Sequence, residues 1–166
     1  QTGEATSRTE LSLPENQMEL FCAVKTVNPN VAVVLFNGHP LLLDELSRNA
    51  AAILQAWLPG TEGGHAILDL LTGTKNPSGK LPMTFPRNMG QIPIYYNHFS
   101  TGRPLTGTDP QRFVSKYTDT PNTPLFPFGY GLSYAEFSYS DVSLSSDSLT
   151  SEDSITASVQ LKNTGA

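Results

Sequence analysis

The stretch "VAVVLF", Val31 to Phe36, is an unbroken apolar run rich in β-branched residues and ended at once by "NGHP". A strand with one wet face alternates, whereas a short continuous run bounded by turn residues suggests a strand covered on both faces, as in a parallel sheet. The neighbouring segments supply the covers. "LSLPENQMELFCAVKTVNPN" has Pro14 at a helix start and Glu15 and Glu19 early, and Leu20, Phe21 and Val24 fall at 3/4 spacing. That pattern predicts a helix stopped by Asn28-Pro29-Asn30. "LLLDELSRNAAAILQAW" predicts a short helix around Asp44 to Ala50 and a second buried strand near Ala52 to Trp57. Helix, strand, helix, strand is the rhythm of an α/β fold.

The next stretch, "WLPGTEGGHAILDLLTG", sets glycines before an apolar run in which Ala66, Ile67, Leu70 and Leu71 keep helical spacing, with Gly73 closing the helix. Glycines before a helix invite a phosphate-binding reading. A P-loop, however, needs Gly-Lys-Ser/Thr leading straight into its helix, and Lys80 is followed by Leu81 and Pro82. Gly60, Gly63 and Gly64 do not give Gly-x-Gly-x-x-Gly either, so the dinucleotide reading falls too. What is left is a strand-to-helix turn in which Glu62 can cap the helix end.

"KLPMTFP" predicts a further strand bounded by prolines, and residues 87 to 128 then read as one long loop without a sustained period. After Ser133 the pattern changes. "EFSYSDVSL" alternates Phe137, Tyr139, Val142 and Leu144 imperfectly, and "SITASVQL" alternates Ile155, Ala157, Val159 and Leu161 cleanly. Both predict half-buried strands of an antiparallel, sandwich-like module, and two strands alone are marginal in water. With a polar start that lacks Met and an end among strands, the chain reads as a piece of something longer.

Ten basic residues, scattered, against fifteen acidic ones give a net charge of -5, which speaks against a nucleic-acid partner. No apolar run approaches the ~20 residues that span a bilayer, so no membrane partner is expected. Cys22, the single cysteine, permits no internal disulfide and sits where helical spacing makes it a buried small hydrophobe. His65 and His98 have no partner at metal-ligand spacing, so neither metal nor cofactor is expected.

His39, in the turn after the first strand, stands where α/β proteins place ligand-binding loops, although an imidazole bonded within its own turn fits equally well. The late aromatics, Tyr95, Tyr96, Phe126, Phe128, Tyr130 and Tyr134, suit packing more than stacking on a sugar ring. Glu4, on its own surroundings, is a solvated acid that could pair with Arg8 four residues on.

Taken together, "GEATSRTELSLPENQMEL", "VVLFNGHPLLL", "AWLPGTEGGHAILDLLTGTKNPSGKLPMTFP", "QIPIYYNHFSTGRP" and "LFPFGYGLSYAEF" resemble, in order, the second domain of glycoside hydrolase family 3, most of all the bacterial periplasmic β-glucosidases. The resemblance runs from about Gly3 to Phe137. It implies an α/β sandwich with a largely parallel sheet flanked by helices over residues 1–134. The opening strands of a fibronectin type III-like β-sandwich would follow over 135–166, each module incomplete.

It further implies a retaining, exo-acting β-glucosidase whose Asp nucleophile lies in a separate (β/α)8 barrel, so that this chain alone would be inactive. A periplasmic or secreted location follows from the same likeness. Glu4 matches the place from which many members supply the acid/base, although Ala5 and Ser7 depart from the usual "EGxDR" and the group can instead come from the barrel. Arg8 and His39 are the candidate substrate contacts, and the implied partner is an oligosaccharide or glucoside shared with the barrel. The alternative is a noncatalytic carbohydrate-binding or docking domain.

Overall fold

The computed structural model describes residues 4–105 and 112–165. Residues 106–111, inside the long loop expected from the sequence, lie outside that range. The chain divides into two compact units, residues 1–67 with 79–131 and residues 68–78 with 132–166.

In the first unit, helix α1 (Glu15–Val27) leads to strand β1 (Ala32–Leu35), helix α2 (Asp44–Asn49) and strand β2 (Ala52–Gln55). The strands pair parallel in the register Ala32 to Ala52 through Leu35 to Gln55, so both run toward the same edge. The α/β rhythm is therefore present, each strand shorter by two residues than its apolar run. Helix α3 (Gly63–Leu71) follows the glycine-rich turn. Gly60 has φ +73°, a region most side chains avoid. Gly63 is needed for space, because a Cβ there would lie 2.6 Å from Cγ of Pro59.

The core is small: Phe21, Leu35, Leu41, Leu43, Leu46 and Phe85, with Met18, Val33, Ile53, Trp57, Leu125 and Phe126 packed half-buried around it. On α1 the face toward this core is set by Met18, Phe21 and the stem of Lys25, whose ammonium reaches the carbonyl of Asn49. Two expectations are overturned here. Leu20, Val24 and Val27 form a second apolar stripe that is exposed, and Cys22, turned away from the core by its place next to Phe21, is exposed rather than buried.

"KLPMTFP" does not form the expected strand. It runs beside "LFPFGYG" in one antiparallel register, Leu81 bonding to Tyr130 and Gly129 and Phe85 to Phe126 and Leu125. Only an isolated bridge at Phe85–Phe126 results. The bonded pair that would complete the ladder between these two ends, Met83 with Phe128, is not made, and Gly129 rather than Tyr130 donates to Leu81. Phe85 is nonetheless the centre of the unit, 1% exposed, with its ring 5.9 Å from Trp57 and 6.3 Å from Phe126.

The long loop is tied down from inside. Gln91, 2% exposed and at the end of a 3₁₀ turn (Met89–Gln91), accepts from the backbone N–H of Arg87 at 2.7 Å. It also donates to the carbonyls of Pro121 and Thr123 at 2.9 and 3.3 Å. One amide thus joins the two ends of a loop of about thirty residues.

In the second unit, β3 (Phe137–Tyr139) pairs antiparallel with β6 (Leu161–Asn163), and β4 (Ser143–Leu144) with β5 (Ala157–Ser158). The expected two strands are present, each split once. Tyr139 faces Leu161, but Ser143 faces Ser158, so Asp141 and Val142 stand against Val159 alone. This is a β-bulge, closed by Ser140 Oγ, which accepts the N–H of Gln160 at 2.8 Å. The bulge accounts for the imperfect alternation: one extra residue moves the apolar face from Phe137 and Tyr139 to Val142 and Leu144. These side chains are exposed rather than half-buried, Tyr139 at 70% and Val142 at 66%. In the same unit Tyr134 donates through its hydroxyl to Leu70 at 2.7 Å, and Asn76 accepts from Tyr134 N–H and Ser133 Oγ.

Two measurements on the intact protein check these assignments. Phe85→Ala lowers stability by about 3–5 kcal/mol, read from denaturant unfolding, and a loss under about 1 kcal/mol would remove Phe85 from the centre of the core. Gln91→Leu, similar in volume, leaves Arg87 N–H and the Pro121 carbonyl without their partner, while Thr123 keeps the bond from Arg87 Nε at 3.0 Å. Limited proteolysis then cuts between residues 92 and 120 several times faster than in the parent, whereas an unchanged rate would mean the amide does not hold the loop.

Candidate functional site

Parallel strands of an open α/β sheet deliver their loops to one edge, and ligands in such folds sit outside that edge. At the carboxyl edge of β1 and β2 the structure places Asn37, His39, Gln55 and Trp57. Asn37 is 9% exposed and donates through Nδ2 to the carbonyl of His39 at 2.6 Å. Its Oδ1 accepts from Nε2 of Gln55, the last residue of β2, at 2.9 Å. The orientation of both amides follows: a carbonyl only accepts, so Asn37 must present nitrogen to His39 and oxygen to Gln55. Gln55 Oε1 is consequently the leftover acceptor, and it is buried without a hydrogen-bond partner.

His39 is half-buried, and its Nδ1 lies 3.1 Å from the carbonyl of Pro40. The carbonyl must accept, so Nδ1 carries a proton and the neutral ring keeps a lone pair on Nε2. Two residues past Gln55, Trp57 holds φ +54°, an unusual conformation for a bulky side chain, with its ring against Phe85. Strained residues of this kind gather at binding sites and switch regions.

The N-terminal loop holds the other two candidates. Glu4 and Arg8 are both exposed, and no ion pair joins them. The carboxyl of Glu10 is held below its ordinary range chiefly by the hydrogen bond from the backbone N–H of Ser12, 3.0 Å from Oε1, with the Arg8 charge a lesser contribution. Ala5, beside Glu4, has φ +56°. No hydrogen bond or ion pair among the described residues links Glu4 or Arg8 to His39.

Other residues weighed from the sequence find local partners. The carboxylate of Glu62 bonds Nδ1 of His65 at 3.0 Å instead of a backbone N–H of α3, so the expected cap is a side-chain pair on an exposed surface. Lys80 donates to the carbonyl of Gly131 at 2.5 Å, far from any phosphate-cradling geometry. The late aromatics stack on one another, Tyr96 on Phe128 at 4.4 Å and Phe126 on Tyr130 at 5.0 Å. Among the described residues no helix is long and apolar enough to cross a membrane, and no three of His, Cys, Asp and Glu gather where they could hold a metal ion.

Reasoning from sequence found His39 and missed its neighbours. The signal was there in one respect: Asn37 and Gln55 are the polar residues that follow or finish the two apolar runs. Their pairing becomes visible only with the parallel register, which sets Leu35 beside Gln55.

Residues 1–134 match the family model described as the glycosyl hydrolase family 3 C-terminal domain. The chain is 51% identical over 162 residues to a periplasmic β-glucosidase of Salmonella typhimurium, covering 98% of this chain and 21% of that protein. It is 39% identical to a β-xylosidase of Formosa agariphila, covering 98% of this chain and 22% of that protein. Among solved structures, a β-glucosidase from Listeria innocua in complex with isofagomine superposes with a TM-score of 0.87 at 48% identity, over 97% of this chain and 22% of that one. The same Listeria enzyme has been seen, as a mutant, in complex with laminaribiose. The chain thus spans about a fifth of the length of the relatives it matches. With the family model covering residues 1–134 and a relative 51% identical over 162 residues, the chain belongs to glycosyl hydrolase family 3, residues 1–134 matching its C-terminal domain.

Proposed function

We propose that this chain is part of a retaining, exo-acting β-glucosidase that removes terminal glucosyl residues from oligosaccharides or glucosides. The observation that carries the reading is the 51% identity, over nearly the whole chain, to a protein named a periplasmic β-glucosidase. In this reading residues 1–134 belong to an α/β sandwich and residues 135–166 open a fibronectin type III-like module. The location is periplasmic or secreted. The exposed apolar stripes on α1 and on the bulged strands support the view that more of the same protein covers them.

Retaining hydrolysis uses two carboxyl groups about 5 to 5.5 Å apart. One attacks the anomeric carbon while the other protonates the departing oxygen, and water deprotonated by the second then releases the sugar. The nucleophile belongs to a barrel domain outside this chain, and Glu4 is this chain's offer for the acid/base. Its exposed turn leaves the carboxyl accessible to a substrate or to a partner domain. Arg8 and His39 are substrate contacts in this scheme, His39 through the Nε2 lone pair that suits a sugar hydroxyl. Because the barrel supplies the nucleophile, the 166-residue chain alone is inactive.

Aryl β-glucosides and aryl β-xylosides, offered to the intact protein and to the isolated chain, test both levels. The intact protein turns over the glucoside in preference to the xyloside, and the isolated chain turns over neither. Preference for the xyloside would reassign the sugar, and turnover by the isolated chain would refute its dependence on the barrel.

In the intact protein Glu4→Gln lowers turnover at least ~100-fold on substrates with poor leaving groups and much less on dinitrophenyl glycosides, which depart without a proton. Equal, near-normal rates on both would move the acid/base out of this chain.

A further inference from the structure

Gln55 presents a puzzle of economy. One end of its amide is buried without a partner, at a cost that a leucine or methionine of similar size would avoid. The other end makes one bond, to Asn37, and Asn37 spends its donor on the carbonyl of His39. That bond fixes the peptide plane between His39 and Pro40. The next carbonyl, that of Pro40, is the one that holds the His39 ring through Nδ1. A chain of three hydrogen bonds therefore runs from the last residue of β2 to the imidazole, and its visible product is a ring whose tautomer and direction are set. The left-handed backbone of Trp57 lies two residues beyond Gln55 on the same strand end.

We infer that Asn37 and Gln55 are positioning residues, which hold the His39 turn so that the Nε2 lone pair is offered to a hydroxyl of the bound glycoside. The inference rests on the proposed role of His39 as a substrate contact. The amide pair touches no substrate itself. It acts by sparing the imidazole the alternative tautomer, in which Nε2 carries the proton and can no longer accept from a hydroxyl.

The test uses the intact protein with Asn37→Asp, Gln55→Leu, His39→Ala and the double variants. Asn37→Asp keeps an oxygen for Gln55 Nε2 but sets a carboxylate oxygen against the His39 carbonyl in a nearly buried place, so Gln55→Leu, which removes an amide already unsatisfied at one end, is the gentler of the two. The expected result for each amide variant is a KM about tenfold higher with kcat within about twofold, and no further rise in KM when the change is added to His39→Ala. Effects that multiply in the His39→Ala background, or a KM that does not move, would overturn the inference and leave the amides a purely structural part.

Imidazole nitrogen-15 spectra give a readout independent of turnover. The parent shows His39 protonated at Nδ1, and Asn37→Asp loses that preference; an unchanged tautomer in the variant would also overturn the inference. A parent protein inert toward glycosides, with the tautomer lost in the variant, would sink the proposed function while upholding the positioning role.

Discussion

The pairing of two four-residue strands in parallel is the constraint from which the first unit follows. Parallel strands cannot be joined by a tight turn, so the chain between Leu35 and Ala52 has to cross back, and α2 is the element that carries it. The crossing brings Leu41, Leu43 and Leu46 under cover together with Phe21 from α1 and Phe85 from the later segment. It also sends both strand ends to one edge, where Asn37 meets Gln55. Core and candidate site are thus two results of a single pairing.

How much of this could be read from the residues alone divides along physical lines. Local signals were legible: the apolar runs, Pro14 at the start of α1, and Asp44 and Glu45 in the first turn of α2. Signals that depend on a distant partner were not. Whether "KLPMTFP" is a strand turns on how it pairs with "LFPFGYG", more than forty residues later, where only Phe85 and Phe126 form a bridge. Which of two possible stripes on α1 faces inward turns on where Leu35 and Leu46 lie. Cys22 was misjudged for that reason, since helical spacing states which residues share a face and not which face is covered. The amide pair needed the register of two strands and the tautomer logic of a histidine, neither of which a linear pattern contains.

A small core stands beside many exposed apolar side chains, and the chain matches about a fifth of the length of its relatives. Phe99 at 96% exposed and Val27 at 84% are unusual for a self-sufficient domain, and stripes of this kind mark surfaces meant to be covered. The chain is similar both to a protein named a β-glucosidase and to one named a β-xylosidase, so likeness over this region does not by itself distinguish the two sugars.

The bulge at Asp141 and Val142 carries a consequence for how the second unit assembles. A hairpin of perfect alternation can slide by two residues and still present its apolar side chains on one side, so its alignment is weakly specified. Here the rhythm changes once along one strand and not along the other. A two-residue slide would set the irregular step of the first strand against the wrong place on the second, deprive Gln160 of Ser140, and divide the apolar side chains between two faces. The extra residue thus distinguishes one alignment from all its neighbours within the pair of strands itself, which makes the irregular strand the ruler and the regular one the part that is measured.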